Sequence, residues 1–87
     1  MRAIITVIGK DTVCILAKTS NVVAELNGNV AEVTQTILQG FFTMIMLIEI
    51  DEMSADLEEL KRQLKEKLPT MEIHVMHEDI FNSMHRI

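Results

Sequence analysis

The longest apolar stretch of this chain, Phe41–Ile48, most restricts the folds available to it. The stretch is about ten residues too short to span a lipid bilayer. It also lacks the regular alternation of apolar and polar residues that marks a strand with one wet face. The turn signal Gln39-Gly40 precedes the stretch and marks the start of a strand. Because Phe41–Ile50 is almost wholly apolar, we predict that this strand lies at the centre of a sheet and is covered on both faces.

Three other segments have the short length and the composition of strands, namely Ala3–Ile8, Asn29–Leu38 and Met71–His77. Two segments between them carry apolar residues at helical spacing, one from Ile15 to Leu26 and one from Leu57 to Leu68. The order of elements is therefore β-α-β-β-α-β, which is the ferredoxin-like arrangement of α+β proteins.

The ends of both helices follow from residues that satisfy free backbone groups. Asp11 and Ser54 are predicted N-caps, because their side-chain oxygens can accept hydrogen bonds from N–H groups of the first turn. The first helix should end at Asn27-Gly28, where glycine tolerates the left-handed cap, and Pro69 should end the second.

The strand order follows from polarity, since the first and third strands are the most apolar and should lie in the middle. We predict a four-stranded antiparallel sheet in the order 4-1-3-2, with both helices on one face. The other face would then expose Ile4, Thr6 and Ile8 of the first strand. A monomer seldom exposes an apolar surface of that kind, so we expect a homo-oligomer, most simply a dimer.

The C-terminal segment 78–87 carries apolar residues at a spacing that suits one or two helical turns. We expect it to pack on the domain or on a partner chain, where it would cover part of the apolar sheet face. Its apolar residues are Ile80, Phe81, Met84 and Ile87.

Composition excludes several classes of function. Acidic residues outnumber basic ones by 13 to 8 among the 87 residues, and the resulting net charge of −5 disfavours direct binding to nucleic acid. Cys14 is the only cysteine, so no internal disulfide can form and a cytoplasmic location is expected. The pattern contains no signal peptide, membrane span or linker, and we expect one domain over residues 1–87 that does not bind membranes.

Several segments resemble the ACT domain family. They are Ala3–Asp11, Ile15–Ala17 and Leu26–Val30. The hairpin Gln39–Met44 and the tail Glu78–Ile87 are similar to those of the stand-alone single-ACT proteins of bacteria and archaea. Those proteins are related to the ACT-type repressor of the glycine cleavage system. The resemblance covers essentially the whole chain, and it implies the ferredoxin-like fold and binding of amino acids or similar small metabolites at a subunit interface.

The resemblance also implies a position for the ligand. In ACT domains the loop after the first strand and the start of the first helix hold it, and a residue at the start of the second strand commonly faces it. Free backbone N–H groups and the positive end of a helix attract a carboxylate, while an amide offers both a donor and an acceptor. Carried over by position, the ligand-binding residues are Gly9, Lys10, Asp11, Thr12, Val13, Cys14 and Asn29.

Cys14 departs from the family pattern, which usually has glycine before the position of Ile15. A thiol occupies space that glycine would leave open to a ligand. We place Cys14 in the first turn of the helix, where Cys14→Gly should lower stability slightly and should bind amino acids at least as well. If Cys14 packs against a partner subunit instead, the same change should weaken the dimer and gain no affinity.

Three functions from different classes remain open. The first is a regulatory module that binds an amino acid and has no catalytic residues, cofactor or metal. The second is a non-catalytic subunit that binds another protein and no ligand. The third is a small enzyme, but an acylphosphatase of this fold would need an arginine in the loop Gly9–Cys14, which has none. His74 and His77 lie three apart on a strand and so point to opposite faces, which argues against a shared metal.

Overall fold

A computed structural model describes residues 1–10 and 14–84 of the chain. Predictions for Asp11, Thr12 and Val13, and for residues 85–87, lie outside the described residues. The β-α-β-β-α-β order is confirmed, and a short third helix follows it. The elements are β1 (Arg2–Gly9), α1 (Ile15–Glu25), β2 (Asn29–Leu38), β3 (Phe41–Glu49), α2 (Leu57–Lys67), β4 (Glu72–His77) and α3 (Glu78–Met84).

The four strands form one antiparallel sheet in the order β2-β3-β1-β4, which confirms the predicted order. The central strands β1 and β3 pair along their length, from Arg2 beside Glu49 to Gly9 beside Phe42. They are the most apolar strands because each has a neighbour on both edges and is shielded from water.

The hydrophobic core lies between one face of this sheet and the helices α1 and α2. Alternate residues of β1 and β3 point into it, and the apolar stripe of each helix packs against them. The leucine stripe predicted for α2 is confirmed, because Leu60 and Leu64 are completely buried. Other fully buried residues of the core are Ile5, Val7, Val22, Val23, Met44, Met46 and Ile48.

The opposite side of the sheet lacks a second layer of long helices in the described part of the chain, and only the short α3 contacts β1 and β4 there. We call this surface the open face. Ile4 is buried there, while its apolar neighbours are partly exposed. Its central residues are Ile4, Thr6 and Ile8 on β1 and Thr43, Ile45 and Leu47 on β3.

The first helix begins later than its sequence predicts. α1 starts at Ile15, so the N-cap is Cys14 and not Asp11, and Cys14 precedes the first turn instead of lying in it. At its other end the left-handed residue is Asn27, with a φ of 64°, and not Gly28. Asparagine tolerates this conformation because its short polar side chain can hydrogen-bond locally.

The second helix has a different N-cap from the one predicted. Asp56 caps α2, since its carboxylate accepts a hydrogen bond of 2.9 Å from the backbone N–H of Glu59. Ser54 donates instead to the carbonyl of Leu26, at 2.8 Å from its backbone N–H and 3.2 Å from its hydroxyl. Ser54 therefore ties the segment before α2 to the end of α1.

The tail forms the predicted helical turns as α3, which contacts β1 and β4. Glu78 accepts two hydrogen bonds from the guanidinium of Arg2, at 2.9 Å from Nε and 2.5 Å from Nη2, which tie α3 to β1. Ile80 does not pack within this chain, where its side chain is 55% exposed, whereas Phe81 is partly buried, and packing of the tail on a partner chain stays a prediction. Its position in the short helix turns Ile80 away from the sheet.

Candidate ligand-binding site

The site predicted after the first strand begins at Gly9, the last residue of β1. A Cβ at this position would lie 2.4 Å from Sδ and 2.9 Å from Cε of Met71. Met71 is 1% exposed and belongs to the core. Any larger residue at position 9 would therefore force the flexible end of the Met71 side chain to shift within the core, at the point where the chain leaves the sheet.

Lys10 follows and is exposed at the same end of the sheet. Its Nζ lies 5.5 Å from the centroid of the Phe41 ring, within the range of a cation–π contact. Phe41 is itself 46% exposed. The contact holds a positive charge beside the loop, where a carboxylate could meet it.

Among the described residues, no side chain caps the N-terminus of α1. Cys14 occupies the N-cap position with a φ of 59° and a ψ of 21°, and its carbonyl accepts a hydrogen bond of 2.9 Å from the N–H of Lys18. The first turn of α1 has no acidic residue, whereas α2 has Glu58 and Glu59 there and Asp56 as its cap. The described residues thus leave the positive end of α1 uncompensated, and it can attract a carboxylate.

We expect Cys14→Gly to stabilise the fold, which reverses the sign expected from the sequence. The left-handed conformation destabilises a residue that has a side chain by about 1–2 kcal/mol, and glycine avoids this strain. Glycine also makes the unfolded chain more flexible, which offsets roughly 0.5–1 kcal/mol of the gain in stability. The free energy of unfolding should rise by about 0.5–1 kcal/mol in urea denaturation. Cys14→Ala is the control, since it removes the thiol and keeps the strain. Equal gains for alanine and glycine would contradict this explanation.

Asn29 lies at the other end of the sheet from this loop. Gly9 stands beside Phe42 of β3, and Asn29 stands beside Glu49 of the same strand. The two β3 positions are separated by about 24 Å along the strand. Within one chain, the structure brings Gly9, Lys10 and Cys14 to one end and leaves Asn29 at the other. A ligand that contacts both must therefore lie between two chains.

The surroundings of Asn29 also differ in charge from those of the loop. Its Nδ2 donates a hydrogen bond of 2.7 Å to Oε1 of Glu49. A groove of about 350 Å³ adjoins it and is lined by Asn27, Asn29, Glu49, Asp51 and Glu52. The carboxylates of this groove repel an anion, so this end suits the ammonium of a ligand better than its carboxylate.

The histidines of β4 do not converge. His74 stands beside Thr6 and His77 beside Ala3, so their side chains lie on opposite faces of the sheet. Among residues 1–10 and 14–84, no group of three or more His, Cys, Asp or Glu side chains could hold a metal ion. None of the helices in this described part is both long and apolar enough to span a membrane.

Comparison with known proteins decides the family. A family model described as an ACT domain matches residues 2–78. The chain belongs to the ACT domain family. A UPF0237 protein of Listeria monocytogenes is 46% identical over 89 residues, with 100% of both chains covered. This ACT domain is thus similar over its full length to a family of small proteins, as the resemblance in the sequence implied.

Solved structures agree with this assignment. An ACT domain protein from Streptococcus pneumoniae superposes with a TM-score of 0.79 at 34% identity and covers 98% of each chain. The regulatory subunit of aspartate kinase from Thermus thermophilus gives a TM-score of 0.63 at 22% identity, over 85% of this chain and 49% of that one. The second likeness shows the fold alone. An ACT domain is a small-molecule-binding regulatory module.

Two features of this ACT domain were not predicted from the sequence. The first is the contact of Met71 with Gly9, which leaves little room for a side chain at position 9. Met71 is far from Gly9 in the sequence, so no local pattern predicts this contact. Thr19 lies in the buried stripe of α1, where its helical spacing predicts it. The sequence did not predict that its buried Oγ1 has no hydrogen-bond partner among the described residues.

Proposed function

We propose that this ACT domain is a regulatory module that binds an amino acid at the loop Gly9–Cys14 and works as an oligomer. The observation that carries the proposal is the N-terminus of α1, which follows that loop, has no acid in its first turn and has no side-chain cap among residues 1–10 and 14–84. Membership of the family supports the same position. The fold shared with a regulatory subunit of aspartate kinase is consistent with a regulatory role.

The chemistry of an amino acid matches this end of the domain. The N–H groups of Ile15, Leu16 and Ala17 open α1 and lack partners within the helix, so they can donate to a carboxylate. Lys10 adds a positive charge from the loop. Asn29 enters the proposal only through a second chain, where its acidic surroundings would meet the ligand's ammonium.

Regulation then follows from linkage between ligand binding and subunit contacts. A ligand that binds the folded chain stabilises it in proportion to its differential affinity. A contact between subunits that requires the ligand-bound conformation of the loop Gly9–Cys14 is strengthened by the ligand. By linkage, the same contact raises the affinity of the chain for the ligand. We place this function in the cytoplasm because the chain carries one cysteine and no disulfide.

A thermal-shift screen against the common amino acids tests the proposal. An amino acid present at a hundred times its Kd should raise the free energy of unfolding by about 2.7 kcal/mol. The carboxamide of the same amino acid should give no shift, because it lacks the carboxylate. Lys10→Ala should weaken binding, and Lys61→Ala on exposed α2 is its matched control. If no amino acid shifts the transition, the ligand proposal fails.

The second candidate is a non-catalytic subunit that binds another protein and no ligand. The observation in its favour is the partly exposed apolar surface of the open face. The absence of any amino-acid shift, together with a stable oligomer, would favour this function over the first. The thermal-shift screen and a sedimentation experiment together therefore distinguish the ligand-binding module from the protein-binding subunit.

A further inference from the structure

Two exposed apolar side chains lie at the end of the domain where the loop Gly9–Cys14 leads into α1. Ile37 is 67% exposed near the end of β2, and Leu16 is 41% exposed in the first turn of α1. Contact of apolar side chains with water is unfavourable in proportion to the exposed area. These two residues therefore offer a surface that an apolar group can cover.

Ile37 lies in the same row of the sheet as the first residue of this loop. It stands beside Phe42 of β3, which in turn stands beside Gly9 of β1. Two strand spacings separate Ile37 from Gly9, or about 10 Å between their Cα atoms. Residues that stand beside each other on neighbouring strands have side chains on the same face, and Phe42 belongs to the core. The Ile37 side chain therefore lies on the face that carries α1 and α2.

Ile37 is left uncovered because α1 begins late. The helix packs on β2, and Val33, four residues before Ile37 on the same face of this strand, packs against the core. In the described part of the chain, no helical turn precedes Ile15 that would cover the last residues of β2. Ile37 therefore lies near the N-terminus of α1, where the proposed carboxylate binds.

Leu16 faces the same side of α1 as this part of β2. Ile15 is buried against the sheet, and Leu16 follows it after a rotation of about 100° around the helix axis. Connections between parallel strands of one sheet are right-handed, so the chain passes from β1 through α1 to β2 with that hand. In this arrangement the rotation turns Leu16 toward the outer edge of β2 and away from α2.

The elements around this surface carry few charges. β2 has no charged residue after Glu32, β3 has none before Glu49, and the first turn of α1 has none. The loop contains one residue of each sign, Lys10 and Asp11, which match the two charges common to every amino acid and select no side chain. A charged side chain of the ligand would therefore lose water without gaining an ion pair on the described parts of β2, β3 and the first turn of α1.

We propose that the amino acid bound at the loop Gly9–Cys14 has an apolar side chain, which packs on Ile37 and Leu16. These two residues then set the specificity of the site. The inference rests on the proposed function and adds the class of ligand to it. A branched aliphatic side chain covers more of this surface than a methyl group, so leucine and isoleucine should bind more tightly than alanine.

A series of amino acids that differ only in the side chain tests the class of ligand. In calorimetric titration of the parent chain, leucine or isoleucine should bind roughly tenfold more tightly than alanine. Aspartate and lysine should bind more weakly than alanine. Tightest binding of a charged amino acid, or equal binding of leucine and alanine, would overturn this inference and leave the proposed function standing. No binding of any amino acid would overturn both.

Ile37→Thr tests whether this residue sets the preference. Threonine keeps the branched Cβ that suits a strand and replaces the apolar end of the side chain. The preference for leucine over alanine should fall to about threefold or less, while the affinity for alanine changes less than about twofold. Leu16→Ser should shift the preference in the same direction.

Val30→Thr is the matched control, because Val30 is 36% exposed on the same strand and the same face but stands beside Ile48 at the opposite end. It should leave the preference for leucine unchanged. Circular dichroism checks the fold of every variant. An unchanged preference in Ile37→Thr, an equal loss of affinity for leucine and alanine in that variant, or an equal effect of Val30→Thr would overturn the inference.

Discussion

Gly9→Ala is expected to lower the free energy of unfolding by about 2 kcal/mol, in the range of other overpacked cores. The new Cβ would lie 2.4 Å from Sδ of Met71, a distance that no pair of unbonded atoms sustains. Met71 is almost completely buried, so its side chain cannot move into solvent. The strain must therefore shift either the core or the loop that follows β1.

The double variant Gly9→Ala/Met71→Val isolates this contact. Valine lacks the sulfur and terminal methyl of methionine, so alanine at position 9 should cost less than about 1 kcal/mol in that background. Gly40→Ala is the control, because its φ of 83° is strained for alanine but nothing lies within 4 Å of its Cβ. Its cost should be the same with Met71 and with valine at position 71. Equal costs for Gly9→Ala in both backgrounds would contradict the packing explanation.

Thr19→Val is expected to raise the free energy of unfolding by about 1–2 kcal/mol. Thr19 is completely buried, and within the described part of the chain its Oγ1 has no hydrogen-bond partner. Valine has nearly the same shape, so the change removes the desolvated hydroxyl and keeps the packing against the core. For a domain of this size each kcal/mol raises Tm by about 4–8 °C.

Thr19→Ser is the matched control for this prediction. Serine keeps the hydroxyl and loses the methyl group, so stability should fall by about 1 kcal/mol. Thermal and urea denaturation of both variants give the comparison. A less stable Thr19→Val chain would mean that the hydroxyl has a partner in solution, and the explanation would have to be abandoned.

Regular elements were predictable because they depend on local periodicity. The bounds of β2, Asn29–Leu38, follow from its composition and from the turn signals at both ends. The central place of β3 follows from its apolar stretch, since no other position shields both of its faces. Chain order and the handedness of crossovers then leave few arrangements of the sheet.

Helix starts were less predictable because they depend on contacts made elsewhere. Asp11 and Ser54 both have side chains that can cap a helix. The N-cap of α1 is nevertheless Cys14, which has a left-handed backbone conformation. A cysteine in the sequence does not predict that conformation. Ser54 is bound by the carbonyl of Leu26, and Asp56 caps α2 in its place.

The candidate site was predictable in part. Positions 9, 10 and 14 come together because they are adjacent in the chain, and the close approach of Met71 to Gly9 is a tertiary contact without a local signal. The distance of Asn29 could have been inferred from topology. The helix α1 carries the chain back along the sheet, so β2 must begin at the end of the sheet where β1 begins, which is opposite to the loop after Gly9.

An NMR titration of the ¹⁵N-labelled chain tests the central claim most directly, because it reports binding and its position together. The ligand is the amino acid with the largest thermal shift, and its carboxamide is the control. We expect saturable changes in amide chemical shift concentrated at Gly9, Lys10 and Cys14 and in the first turn of α1, with none for the carboxamide. Shift changes centred on the exposed face of α2, equal changes with the carboxamide, or no changes with any amino acid would contradict the assignment of this loop as the ligand site.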